Sequence, residues 1–231
     1  AIPIFLAGVM AMTLKEPKRK ISYTEKHCVK NRSIKRHYFQ IIAECIEYIR
    51  KHPKLRPLVI DSILGGTMLY YILWLYQIML ANSGAEIAQY GWIASGMNIF
   101  SIILLSQLMR FDVFIGKKNL IRATVFIPGI AFIAGAFTTN LVITIALIFV
   151  IMGFRGLRQP LFSSYFNAHI PSARRATMLS AISMLGRVLA AVLNIAVGAL
   201  MDWNVQSTMI VIGCALIGLA VLSGVREKDF K

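Results

Sequence analysis

The sequence predicts an all-α polytopic membrane protein built around a six-helix transmembrane bundle. Three observations carry that prediction. Apolar residues make up 57% of the 231 residues, against about 45–50% in an average soluble chain, and the mean hydropathy is +0.67. Six apolar stretches are each long enough to cross about 30 Å of hydrocarbon at about 1.5 Å per residue. The basic residues, which give a net charge of +15, collect between those stretches. A soluble enzyme of this length could not hide so much apolar surface. Three cysteines, Cys28, Cys45 and Cys214, are too few and too scattered for a disulfide framework.

Residues 1–14 form an apolar run too short to span, since a bilayer takes about 20 residues. They lack the charged start of a signal peptide and read as the end of a truncated transmembrane helix. Residues 15–56 are a basic cytoplasmic loop holding 13 of the 25 Lys and Arg. Within it the spacing predicts an amphipathic helix at about 37–51. Tyr38, Ile41, Ile42, Cys45, Ile46 and Ile49 lie on one side, with Gln40, Glu44, Glu47, Arg50 and Lys51 on the other. Its apolar face suits a membrane surface or a partner helix. The basic balance does not mark a nucleic-acid binder, which needs a basic face on a folded soluble module.

The six predicted spans run over 57–81, 90–109, 120–138, 141–167, 174–201 and 207–225, within the 57–225 bundle. Their connections alternate in charge. Asn82–Gln89, Thr139–Asn140 and Asp202–Gln206 contain no Lys or Arg, whereas the loops Arg110–Arg122 and Arg155–Arg175 and the tail 226–231 together hold 11. Positive segments stay on the cytoplasmic side. The loop before the first span, those two loops and the C-terminus are therefore placed inside, in a plasma (inner) membrane.

Local motifs agree with this organisation. His52-Pro53-Lys54-Leu55-Arg56-Pro57-Leu58, Gly116-Lys117-Lys118, Arg155-Gly-Leu-Arg-Gln-Pro160, Ile170-Pro-Ser-Ala-Arg-Arg-Ala-Thr177 and Gly198-Ala-Leu-Met-Asp202 stand in that order. In order and topology the chain resembles the C-terminal half of a major facilitator superfamily transporter, from the tail of helix six through the central loop to helices seven to twelve. Gly116-Lys117-Lys118 resembles the end of that family's Gly-x-x-x-Asp-Arg-x-Gly-Arg-Arg loop, with Leu108 where the motif has Gly. The resemblance implies secondary transport of a small organic solute by alternating access, with substrate held near the midplane between two halves. It also implies that helices seven and ten line the cavity, that eight and eleven flank it and meet the other half, and that nine and twelve lie outside. The partners it implies are the lipid bilayer, the substrate, a missing N-terminal six-helix half and a coupling proton or cation, with no nucleic acid. Such a half alone is expected not to transport.

Ionisable groups at membrane depth are functional candidates by default. Counted from the outer ends of their spans, Arg155 and Arg187 both lie ~22 Å below the boundary. Arg158 is one turn nearer the cytoplasm. Arg155, Arg158, Gln159, Phe162, Phe166 and His169 share a helix face; Pro160 predicts a kink against the Gly156 carbonyl. This face reads either as an anion-attracting, gating stretch or as arginines snorkelling to headgroups, and for Arg158 snorkelling is favoured. Ser180, Arg187, Ala191, Asn194 and Gly198 form a second stripe. Arg187 lies too deep to snorkel comfortably and is assigned to a charge network with Asp61, the nearest acid within the spans. Thr67, Tyr70, Trp74 and Gln77 form an aromatic and polar stripe suited to an amphiphilic solute, leaning toward efflux; the outer aromatic belt also claims Trp74 and Tyr76. Asn98 is assigned to interhelical hydrogen bonding. The substrate-cavity candidates are thus Thr67, Tyr70, Trp74, Gln77, Arg155 and Gln159. The gating or charge-network candidates are Asp61, Arg158, Arg187 and Asn194. No metal-ligand spacing, phosphate loop or dinucleotide fingerprint is present, so no catalytic residue, metal or cofactor is assigned. Two other classes stand beside the transporter. A channel, receptor or scaffold would want a filter or charged ring. A lipid-modifying enzyme would want clustered acids or a Ser/His pair at one membrane face.

Overall fold

A chain crossing hydrocarbon must satisfy its backbone hydrogen bonds internally, and each long apolar run here does so as a helix. The structure, a computed structural model, describes residues 43, 45–53 and 55–222. Among them there is no strand. Span 1 is Leu55–Asn82, span 2 Ile87–Ser106, span 3 Lys117–Phe137, span 4 Leu141–His169, span 5 Ser172–Trp203 and span 6 Val205–Leu222. Each is long and apolar enough to cross a membrane, and the chain is an integral membrane protein. The predicted helix end at 1–14, residues 223–225 and the tail 226–231 lie outside the described residues. So does most of the predicted 37–51 helix. Of that helix, residues 45–51 are helical; Cys45 and Ile49 are buried and Glu47, Arg50 and Lys51 exposed, but Ile46, assigned to the apolar side, is exposed as well. The exposed Lys51 ammonium, 2.6 Å away, holds the Glu47 carboxyl below its ordinary range.

The stretch predicted as a loop between the second and third spans is largely helical. Span 2 ends at Ser106, and after Gln107 a separate short helix covers Leu108–Ile115. Met109, Val113 and Phe114 are exposed along it. The turn into span 3 is confined to Gly116, whose φ of +82° disfavours any residue with a Cβ. Span 4, predicted over 141–167, continues through Pro160 to His169. The chain turns only at Ile170, whose φ of −103° and ψ of 126° are the extended values that a following proline enforces. Span 1 is interrupted once, where Tyr71 N–H donates to Met68 O at 3.3 Å, three residues back.

The two ends of the bundle differ in how they are closed. At one end lie Arg110, Lys117, Lys118 and Arg175. At the other, short caps without Lys or Arg do the work. Asn140 Oδ1 accepts from the amides of Val142 and Ile143, and Asn204 Oδ1 from those of Gln206 and Ser207. Glu86 and Gln89 form a reciprocal capping box. Ser83 Oγ and Thr144 Oγ1, 2.7 Å apart, tie span 1 to span 4.

Span 4 packs against spans 1, 2 and 3, while spans 3 and 6 pack along each other. Leu69, Ile72, Leu75, Phe132, Ile148, Ile151 and Leu216 form the centre of one continuous core. Burial is uneven. Between 33% and 50% of the most apolar window is buried in spans 1, 3, 4 and 6, but 6% in span 2 and none in span 5.

Lipid is as apolar as leucine, so helices associate in it through close packing. At the crossing of spans 3 and 6, a Cβ on Gly213 would stand 2.7 Å from the Gly129 carbonyl oxygen, and one on Gly129 3.0 Å from that of Gly213. Gly218, on the same span, has open space around it. Gly213→Leu is therefore expected to destabilise the bundle by about 1–3 kcal/mol, the usual cost of overpacking. Gly218→Leu should leave the unfolding midpoint unchanged. Unfolding in mixed detergent micelles measures both.

Candidate functional site

The site begins with one buried cation. Arg158, on span 4, is 4% exposed, and Asp61, on span 1, is 1% exposed. Arg158 Nη2 donates to Asp61 Oδ1 at 2.7 Å and to the Asp61 backbone carbonyl at 2.7 Å. Its Nη1 donates to Thr124 Oγ1 on span 3, also at 2.7 Å. Thr124 in turn donates to the Ile121 carbonyl at 2.6 Å. The guanidinium lies 4.8 Å above the Phe162 ring, one turn along its own helix. One arginine thus joins spans 1, 3 and 4.

Room for it comes from Gly65, one turn after Asp61. A Cβ there would stand 2.5 Å from Arg158 Nη2 and 2.8 Å from its Cζ. Among the described residues the site is not fully satisfied: Asp61 Oδ2 and Arg158 Nε are buried with no hydrogen-bond partner there. An ion pair in a low dielectric needs excellent geometry to offset desolvation, and breaking one by removing a partner costs about 3–5 kcal/mol.

This geometry corrects two sequence-based assignments. Arg158 does not snorkel; its guanidinium is enclosed between three helices. Asp61 pairs with Arg158 rather than Arg187. Depth along the membrane normal brought Asp61 and Arg187 together in the sequence argument. Which way each helix faces decides the partner, and Asp61 faces span 4.

Beside the pair lies a groove with two lobes, walled by spans 1, 4 and 5. The first, about 420 Å³, is lined by Arg155, Arg158, Gln159, Phe162, Phe166 and Ser163 together with Gly66, Leu179 and others. The second, about 640 Å³, is lined by Thr67, Tyr70, Arg187, Ala190, Ala191 and Asn194. Ser62, Gly66, Gln159, Ile182 and Ser183 border both lobes. The Arg155 guanidinium sits 6.0 Å from the Tyr70 ring centre. Thr67 Oγ1 donates to the Gly186 carbonyl at 3.5 Å, a long contact between spans 1 and 5. Arg187 and Asn194 are exposed.

Of the cavity candidates, Thr67, Tyr70, Arg155 and Gln159 therefore line the groove. Trp74 and Gln77 do not; both are exposed further along span 1, where Gln77 donates to the Tyr76 hydroxyl at 3.1 Å. Of the gating candidates, Arg158, Arg187 and Asn194 line the groove. Asp61 instead borders an apolar cleft of about 590 Å³ between spans 1 and 6, with Ile60, Leu64, Ala215 and Leu219. Asn98 bonds within its own helix, to the Ala94 carbonyl at 2.8 Å, rather than across helices. Asp112, isolated in the sequence, accepts from the Tyr165 hydroxyl at 3.0 Å, and Lys117 Nζ lies 5.7 Å from that ring's centre. Gly65, Thr124 and Ser183 join the site without having been predicted from the sequence. Only Gly65 carried a signal, a small residue one turn from a buried acid.

Compared with known protein families, curated proteins and solved structures, the chain matches none of them.

Gly65→Val is expected to displace the Arg158 guanidinium and to destabilise the protein by about 3–5 kcal/mol, as for a broken buried pair. Gly66→Val, where nothing lies within 4 Å, should leave stability within about 0.5 kcal/mol. Thr124→Val removes one acceptor while keeping the shape and should cost about 1–3 kcal/mol. Chemical or thermal unfolding in micelles ranks the three.

Proposed function

We propose that this chain is one six-helix half of a secondary transporter of the major facilitator type. It moves a small organic solute, by efflux on the strength of the aromatic lining, through alternating access in a plasma (inner) membrane with the C-terminus cytoplasmic. The observation that carries the reading is the two-lobed groove: polar groups from three spans converge on one face of the bundle rather than on a water-facing end. Such a face cannot be left against lipid, because unpaired polar groups in hydrocarbon are costly. It needs a second surface to close it, and closing and reopening around a midplane site is how such transporters work. Two further observations support the reading. Spans 2 and 5, which the family resemblance assigns to contact with the other half, are the two with least burial inside this chain. The basic residues also alternate from loop to loop as six spans with both ends inside require.

Two experiments in sealed vesicles test this, on a cysteine-free background of the complete reading frame. For topology, a membrane-impermeant maleimide should label Lys118→Cys from the cytoplasmic side only and Glu86→Cys from the outer side only; the reverse pattern would invert the orientation. For alternating access, Ala191→Cys in the groove should react with a small membrane-impermeant thiol reagent added to either side. Ile195→Cys, exposed on the same helix but away from the groove, should react from neither. Reaction of Ala191→Cys from one side alone would indicate a static receptor or scaffold.

A further inference from the structure

Among the described residues, the groove holds an excess of positive charge. Its lining there includes Arg155, Arg158 and Arg187 and no aspartate or glutamate. Arg158 is neutralised from behind by Asp61 at 2.7 Å, and that carboxylate borders the opposite cleft. Arg155 meets only the Tyr70 ring at 6.0 Å, a weak contact for a cation. Among the described residues, Arg187 has no hydrogen bond or ion pair. Two guanidiniums, each with five donors, therefore face the groove at matching depth from consecutive helices. When water is excluded, each needs an anion.

We infer that the groove binds a small organic anion through a carboxylate or phosphate, with Arg155 and Arg187 as its binding residues. This inference rests on the transporter reading and names its substrate class. The first lobe is walled by spans 1, 4 and 5 of this same chain, and about 420 Å³ is room for a small solute between them. Gln159 and Ser183, shared by both lobes, offer neutral hydrogen bonds. Tyr70 and Phe162 give the organic part an aromatic surface. Because the two arginines stand in different lobes, a dianion uses both and a monoanion only one.

The test reads the charge of the groove without knowing the solute. Ser183→Cys, and Ala190→Cys as a second reporter should the first fold poorly, is made in the cysteine-free complete reading frame. It is reacted in phosphatidylcholine vesicles with neutral, anionic and cationic methanethiosulfonates of similar size. The anionic-to-cationic rate ratio should exceed that of free cysteine at least tenfold, the lower end of electrostatic focusing in a charged cleft. Arg155→Gln together with Arg187→Gln should bring it back to the free-cysteine value. Terephthalate at millimolar concentration should slow the reaction more than benzoate, and benzamide should not slow it. If both reporters react with the neutral reagent but show no anionic preference, an acid from elsewhere balances the arginines and the inference fails while the transporter reading stands. If neither reporter reacts with the neutral reagent from either side, the transporter reading itself fails. Loss of the preference when phosphatidylglycerol replaces part of the phosphatidylcholine would identify a lipid headgroup as the anion and overturn the assignment to a soluble one.

Discussion

A guanidinium cannot sit alone among hydrocarbon, and that constraint organises this bundle. Arg158 on span 4 is almost wholly buried, so two neighbouring spans are shaped to hold it. Span 1 supplies the Asp61 carboxylate and a backbone carbonyl, span 3 the Thr124 hydroxyl, and Gly65 the space. In lipid, apolar side chains give helices little reason to prefer one neighbour over another. A polar contact with one geometry fixes which faces of spans 1, 3 and 4 meet. The glycine crossing of spans 3 and 6 then adds the sixth helix to that frame through shape alone.

Fixing those faces also sets the charge of the groove. Asp61 is drawn to one side of span 1 by Arg158, so it borders the apolar cleft and leaves the groove without an acid. Had Asp61 faced Arg187 instead, Arg155 and Arg158 would be the unpaired arginines, so the facing of span 1 decides which cations are left for the groove and not how many. The same pair is incompletely satisfied, with Asp61 Oδ2 and Arg158 Nε unpartnered. In a protein proposed to alternate between two shapes, an interaction that stabilises one packing without saturating it is compatible with movement.

The six spans were legible because length and hydropathy are properties of a segment taken alone. Their ends were less so. Residues 108–115 carry Arg110 and Asp112 and read as a loop, yet their apolar residues recur at helical spacing and the chain turns only at Gly116. The groove was half legible. Helical spacing placed Arg155, Gln159, Phe162 and Phe166 on one face of span 4 and Thr67 with Tyr70 on one face of span 1, and those faces meet. Partnership across helices was not legible. Counting residues gives depth, and depth matched Arg187 to Arg155 and left Asp61 to Arg187. The azimuth of each helix depends on packing at Gly65, Gly129 and Gly213, which no single segment encodes. Thr124 was invisible for the same reason: a threonine in an apolar helix announces nothing until a donor lies opposite.

The arrangement of the site turns on Asp61 being bound to Arg158 and not to Arg187. A pair of double-mutant cycles on unfolding free energy in micelles tests it most directly, using Asp61→Asn with Arg158→Gln and Asp61→Asn with Arg187→Gln. The first pair should couple by about 2–3 kcal/mol, the upper range for residues in contact, and the second by less than about 0.5 kcal/mol, as for sites that share no partner. Strong coupling of Asp61 to Arg187 with none to Arg158 would contradict the structure's arrangement of the site and the charge assignment that follows from it.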